Sequence, residues 1–187
     1  MEMIPVTTSD RFYDEAEALM EQAFPPEERR PRTEQREYAD HNPLFRPNVL
    51  VEDGQFAGLL NYWQLKGFIY AEHLATLPSL RGKGLGQRVM EKLINDSSLP
   101  IVLEVEPPTD ELKQRRIGFY QRCGFTQWEH RTYMQPPYSA QLPSISLRLM
   151  VHGQLNEEQD FDHVCREIYT KVYGCTAEEA GHYLKQE

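Results

Sequence analysis

What this 187-residue chain lacks narrows its chemistry before any motif is read. No apolar run approaches the roughly 20 residues a membrane span needs. The first residues, MEMIPVTTSD, lack the basic segment and apolar stretch of a secretory signal, so the expected compartment is the cytoplasm. Positive charge is scarce: 20 Lys and Arg against 29 Asp and Glu leave a net charge of -9. Non-specific binding to nucleic acid or an anionic membrane needs a basic surface, so neither is expected, and a neutral or cationic partner is easier to accommodate. Cysteine is sparse as well. Cys123, Cys165 and Cys175 are odd in number and show no C-x-x-C spacing, which reads as reduced thiols. The six histidines form neither H-E-x-x-H nor any paired ligand spacing, so no metal site is expected.

What is present reads as a globular fold: 40% hydrophobic and 11% aromatic residues, without repeats or low-complexity tracts. We expect one domain over residues 1–151 and a C-terminal helical extension over 152–187, docked on that domain. A short strand at Ile4–Thr7 precedes a helix from Arg11 to about Ala23, capped by Ser9 or Asp10, with Phe12, Ala16, Leu19 and Ala23 on one face. Phe24–Arg32, FPPEERRPR, reads as a loop, either a solvated connector or a substrate loop, before a short helix at Thr33–Ala39. Val49–Glu52 and Gln55–Leu65 flank Asp53-Gly54, a hairpin signal. Next come a strand at Phe68–Leu77, a buried strand at Ile101–Val105, and a helix capped by Thr109 or Asp110 that Gly124 stops. Two final strands are expected at Phe125–Glu129 and Ser144–Val151, separated by the loop Gln135–Pro143. In the extension, Asn156 caps a helix with the stripe Phe161, Val164, Ile168 and Val172, Gly174 ends it, and a polar helix follows near Ala177–Lys185. A homodimer contact is the alternative use of this tail.

The most informative stretch runs from Tyr70 to Leu93, YAEHLATLPSLRGKGLGQRVMEKL. It reads as strand, glycine turn, then an amphipathic helix with Leu85, Val89, Met90, Leu93 and Ile94 on its stripe. A helix beginning among Gly82, Gly84 and Gly86 presents unpaired N–H groups and the positive end of its dipole to an anion. Arg81, Lys83 and Arg88 add positive charge, so the expected guest is a phosphate or pyrophosphate. The P-loop does not fit, because Gly82-Lys83 is followed by Gly84 rather than Ser or Thr. The dinucleotide fingerprint fails where Gln87 replaces its third glycine. Glu104 falls near where a ribose-binding acid would, which keeps a nucleotide-binding protein as an alternative.

Arg81, Gly84 and Gly86 do fit the pattern Arg/Gln-x-x-Gly-x-Gly/Ala. Downstream, IGFYQRCGF at Ile117–Phe125 supplies Phe-Tyr followed by Gly-Phe at a helix-to-strand step. Together, in this order, the two motifs resemble the GNAT superfamily of N-acetyltransferases over roughly residues 3 to 150. The resemblance implies a mixed α/β (α+β) fold: a mostly antiparallel twisted sheet with a central parallel pair, flanked by helices, and a cofactor cleft where two parallel strands splay. It implies acetyl-CoA as co-substrate, with pyrophosphate on Gly82, Lys83, Gly84, Leu85 and Gly86, Arg81 at the head of the turn, and pantetheine on the main chain of Leu74, Ala75 and Thr76. Tyr120 falls where many members place a general acid on the CoA sulfur.

The chemistry then expected is acetyl transfer to a primary amine of a small molecule or peptide, by direct attack in a ternary complex, since no cysteine is placed as a covalent relay. An ammonium near pKa 10.4 must lose a proton before attack. Glu72, sharing a strand face with Leu74 and Thr76, is the first choice of base, with Glu104 and Glu106 as rivals. His73 faces the other way and reads as a core histidine. Trp63, Trp128, Tyr133 and Tyr138 are either acceptor-pocket aromatics or packing. A non-catalytic CoA-binding module of the same fold is the other-class alternative.

Overall fold

A computed structural model describes residues 1–185, so Gln186 and Glu187 of the expected extension lie outside the described residues. Eight strands form a mostly antiparallel sheet with one parallel pair, accompanied by six helices among the described residues, which is the mixed class expected. The chain divides into two compact units: residues 1–64 with 71–97, and residues 65–70 with the chain from Ser98 onward.

In the first unit β1 (Glu2–Pro5), β2 (Phe45–Glu52) and β3 (Gln55–Leu65) are antiparallel neighbours, and β4 (Phe68–Thr76) follows β3. The β2–β3 hairpin turns at Asp53 (φ 51°) and Gly54 (φ 75°), both left-handed, as a two-residue turn of matching twist requires. The unit's helices are α1 (Tyr13–Ala23), α2 (Arg32–His41) and α3 (Leu85–Asp96). Tyr13, Ala16, Leu19 and Met20 of α1 are buried with Val49, Val51 and Leu59 in one apolar cluster. Each such large side chain withdrawn from water contributes about 1.5–3 kcal/mol. Ala23 instead is exposed. The expected cap is also replaced: Asp10 accepts from the Thr7 N–H and hydroxyl, bracing the preceding turn, and α1 starts at a left-handed Phe12 without a side-chain cap.

The second unit contains β5 (Ile101–Val105), β6 (Thr126–Gln127), β7 (Tyr133–Gln135) and β8 (Ile145–His152), with β5, β6 and β7 all antiparallel to β8. Ile69, in the first part of β4, donates to the Pro100 carbonyl at 2.8 Å. Helix α4 (Glu111–Arg122) is capped by Asp110, whose side chain accepts from Lys113 N–H at 2.9 Å. Asn156 caps α5 (Glu157–Lys171), whose Phe161, Val164 and Ile168 are buried, and Thr176 with Glu179 forms a capping box on α6 (Ala177–Tyr183). The strand expected over Phe125–Glu129 shrinks to two residues, and β7 lies partly inside what read as loop. Its three residues carry too little alternation to register as a strand; pairing with β8 makes it one.

Candidate active site

The glycine turn supplies an anion-binding geometry. Gly82 (φ 76°) and Gly84 (φ 74°) are both left-handed. A Cβ at either position would meet nothing within 4 Å, so backbone conformation rather than crowding demands glycine there. Gly84 is the N-terminal flank of α3, with no side-chain cap and no acidic residue in the first turn. The first N–H groups of the helix therefore have no intrahelical acceptor and carry the positive end of the dipole. Arg81, Lys83 and Gly84 are exposed, Gly86 is half-buried, and Leu85 turns inward with Val89, Met90 and Leu93 to hold the helix. Arg88 differs from its neighbours: it forms a two-point contact with Glu52 at 2.9 and 3.1 Å, so its charge serves β2 instead of the turn.

Strand β4 runs toward this turn with Glu72, Leu74 and Thr76 half-buried and His73 and Ala75 buried, the alternation expected of one shared face. Gly58 on β3 allows a close approach here. A Cβ in its place would press on the Ala75 carbonyl and stand 3.0 Å from Thr76 Cα. Glu72 is only half-buried as a residue although its side chain is 1% exposed, so the exposed part is its main chain.

The Glu72 carboxylate is fully engaged. Arg30, also 1% exposed, donates to both oxygens, and Trp63 Nε1 donates at 2.8 Å. Arg30 also donates to Gln35 Oε1 at 3.2 Å, and its guanidinium lies 5.0 to 5.6 Å from the ring centroids of Trp63, Tyr38 and Phe45. Burial is the largest single influence on the Glu72 carboxyl and raises its pKa. The charge of Arg30, then His73, and the hydrogen bonds from Arg30 and Trp63 outweigh it and bring the value to about 2. Such a carboxylate is a poor acceptor for an ammonium proton, which sets this geometry against the base role expected of Glu72. His73 is a core histidine: 2% exposed, Nε2 on the Glu28 carbonyl at 2.8 Å, its pKa lowered chiefly by burial.

Glu104, the rival carboxylate, belongs to a different cluster, in the second unit. The Tyr133 hydroxyl donates to Oε1, and the Tyr173 hydroxyl lies 3.1 Å from Oε2 and 3.4 Å from Oε1. Tyr70 Oη is 3.4 Å from Tyr173 Oη. Burial, then the charge of Glu104, pushes both the Tyr133 and Tyr173 phenols well above the usual range, so they remain protonated donors. Glu106 instead pairs with Arg116 at 2.8 Å and Lys113 at 3.3 Å on α4.

Tyr120 sits in the last turn of α4. Gly124 (φ 86°) closes the helix, and the N–H groups of Cys123 and Phe125 both donate to the Tyr120 carbonyl at 3.0 Å, which fixes its main chain. Its ring contacts Phe119 and Phe125 at centroid distances of 5.0 and 5.9 Å, and its hydroxyl has no hydrogen-bond partner among the described residues. Burial pushes this phenol to about 12.

Two residues of these clusters went unread in the sequence. Arg30 lies among five charges in FPPEERRPR, a segment that reads as a connector or a substrate loop and marks none of its charges as buried. Tyr173 lies between the helix stripe and its stop glycine. Trp63, Trp128 and Tyr133 are buried. No group of three or more His, Cys, Asp or Glu able to hold a metal occurs among the described residues, and no helix there is long and apolar enough to cross a membrane.

A sequence model of the acetyltransferase (GNAT) family matches residues 10–125. A candidate acetyltransferase of that family from Bacteroides thetaiotaomicron, solved as a structure, is 42% identical; the alignment covers 94% of this chain and 100% of that one, with a TM-score of 0.90. The Bacillus subtilis (strain 168) protein YjbC, itself a candidate acetyltransferase, is 33% identical over 82 residues, 43% of this chain and 42% of YjbC, so the match spans less than half of that relative. A Bacillus subtilis acetyltransferase solved in complex with CoA is 14% identical with a TM-score of 0.57 over 82% of this chain and 99% of that one, a likeness of fold.

Proposed function

Since the chain belongs to the GNAT acetyltransferase family, we propose that it moves an acetyl group from acetyl-CoA to a primary amine of a small molecule or peptide, by direct attack in a ternary complex in the cytoplasm. The observation that carries this reading is the uncapped start of α3 behind two left-handed glycines, with Arg81 and Lys83 exposed beside it. Pyrophosphate would lie on the N–H groups from Gly82 to Gly86, and pantetheine along the main chain of Leu74, Ala75 and Thr76 as an added edge strand. The fold relative solved with CoA supports this donor.

In this reading the amine gives up one proton to a base before attacking the thioester carbon and a second, to water, as the amide forms. The C–S bond breaks, and its electron pair leaves with sulfur. Glu104 takes the base role, because its described partners are neutral phenols while Glu72 is neutralised by a guanidinium. Tyr120 donates a hydrogen bond to the departing thiolate. With the phenol near 12 against roughly 8.5 for a thiol, that donation, rather than complete proton transfer, stabilises the leaving group. The N–H of Leu74 or Ala75 is the proposed donor to the thioester oxygen.

The engagement of Glu72 favours one second reading, a CoA-binding module without catalysis. Calorimetric titration with acetyl-CoA, together with CoA-thiol release over a pooled amine and peptide panel, separates the two. Transfer predicts both binding and release, with release lost in Glu104→Gln while acetyl-CoA still binds. Binding without release across the panel supports the module.

A further inference from the structure

Six tyrosines of the second unit form one connected set. Tyr133 stacks on Tyr169 with centroids 5.5 Å apart, Tyr169 meets Tyr183 at 5.4 Å, and Tyr138 meets Tyr173 at 4.9 Å. Tyr70 joins through Tyr173, and Tyr173 and Tyr133 both reach Glu104. Beside them opens a cavity of about 470 Å³, lined by Pro136, Pro137, Tyr173, Glu178 and Tyr183 among others. Packing alone does not call for this composition. A core needs ring volume, which phenylalanine supplies without a hydroxyl to satisfy, and it gains nothing from a carboxylate. Two phenol hydroxyls on one carboxylate, with Tyr173 also on the wall of a cavity that joins Pro136, Pro137 and the Tyr183 ring to the acidic Glu178 and Glu179, suit a cation on an aliphatic arm.

We infer that this cluster and its cavity are the acceptor subsite and that the acceptor is an alkylammonium, with the helices beyond residue 152 supplying its specificity. The inference rests on the acetyl-transfer reading above. The ammonium lies at the Tyr173 hydroxyl and Glu104, and the aliphatic arm runs past Pro136, Pro137 and the Tyr183 ring. Glu178 is exposed on α6, whereas Glu179 is held by Thr176 in the capping box, so Glu178 is the carboxylate left to attract a second positive group at the far end. Acetylation removes the ammonium charge and with it the attraction to Glu104, which favours release of the product. Tyr173 and α6 lie outside the region that the family model matches, residues 10–125, in keeping with an acceptor preference set beyond the family's shared core.

Calorimetric titration of 1,4-diaminobutane into the full chain tests this, with uncharged 1,4-butanediol as the control. The diamine is expected to bind and the diol not to. Tyr173→Phe should weaken the diamine about tenfold to a hundredfold by removing a hydrogen bond to a charged group. Glu178→Gln, on an exposed helix face where misfolding is not an issue, should weaken it by roughly twofold to fivefold. Both variants should keep wild-type acetyl-CoA affinity. A wild type that binds the diamine no better than the diol, or both variants binding it like wild type, overturns the inference. Binding is read without turnover, so failure here is distinct from failure of the transfer reading, which would appear as no CoA-thiol release across the amine and peptide panel.

Discussion

Acid should loosen the first unit through Glu72, and the size of the effect follows from its surroundings. The carboxylate is buried with Arg30, and its pKa falls from 4.5 to about 2. A carboxyl that ionises more readily when folded stabilises the fold above its unfolded pKa, and that contribution is lost as pH falls through the folded value. At about 1.4 kcal/mol per pH unit the full contribution is about 3 kcal/mol, present above roughly pH 5.5, with about 2 kcal/mol of it gone by pH 3. Urea unfolding of wild type and Glu72→Gln between pH 7 and pH 3 measures this directly. Near neutrality Glu72→Gln should be less stable by about 3–5 kcal/mol, since it leaves a buried guanidinium facing a neutral amide, and the gap should narrow by about 2 kcal/mol toward pH 3. Arg30→Met alone should cost more than Arg30→Met combined with Glu72→Gln, because only the single variant strands a buried charge. A gap that does not change with pH would refute this account. So would Glu72→Gln of wild-type stability that has lost turnover, a result that returns the base role to Glu72.

Other expectations concern the cofactor turn and the leaving group. Tyr120→Phe should lower kcat about a hundredfold while leaving acetyl-CoA affinity unchanged, measured by CoA-thiol release and calorimetry. Gly84→Ala should cost about 1–2 kcal/mol from its left-handed φ alone, with no clash, and weaken acetyl-CoA in parallel. Gly58→Ala should be destabilising by about 1–3 kcal/mol in thermal unfolding, because its Cβ meets strand backbone that cannot rotate away, and acetyl-CoA affinity should fall as Ala75 and Thr76 shift.

Several features could be read from the letters because their causes act over a few residues. Asp53-Gly54 adopts two left-handed conformations whatever surrounds it, Asp110 and Asn156 cap helices through N–H groups two or three positions on, and β5 begins and ends where its apolar run does. The glycine turn is of the same kind, since Gly82 and Gly84 take conformations that other residues resist. The state of each candidate carboxylate was decided elsewhere. Arg30 reaches Glu72 across 42 positions and Tyr173 reaches Glu104 across 69. A sequence shows which residues can carry charge. Which charge meets a guanidinium and which meets phenols depends on how the chain returns to itself, and only the tertiary structure sets that, because a buried group takes its proton affinity from neighbours in space.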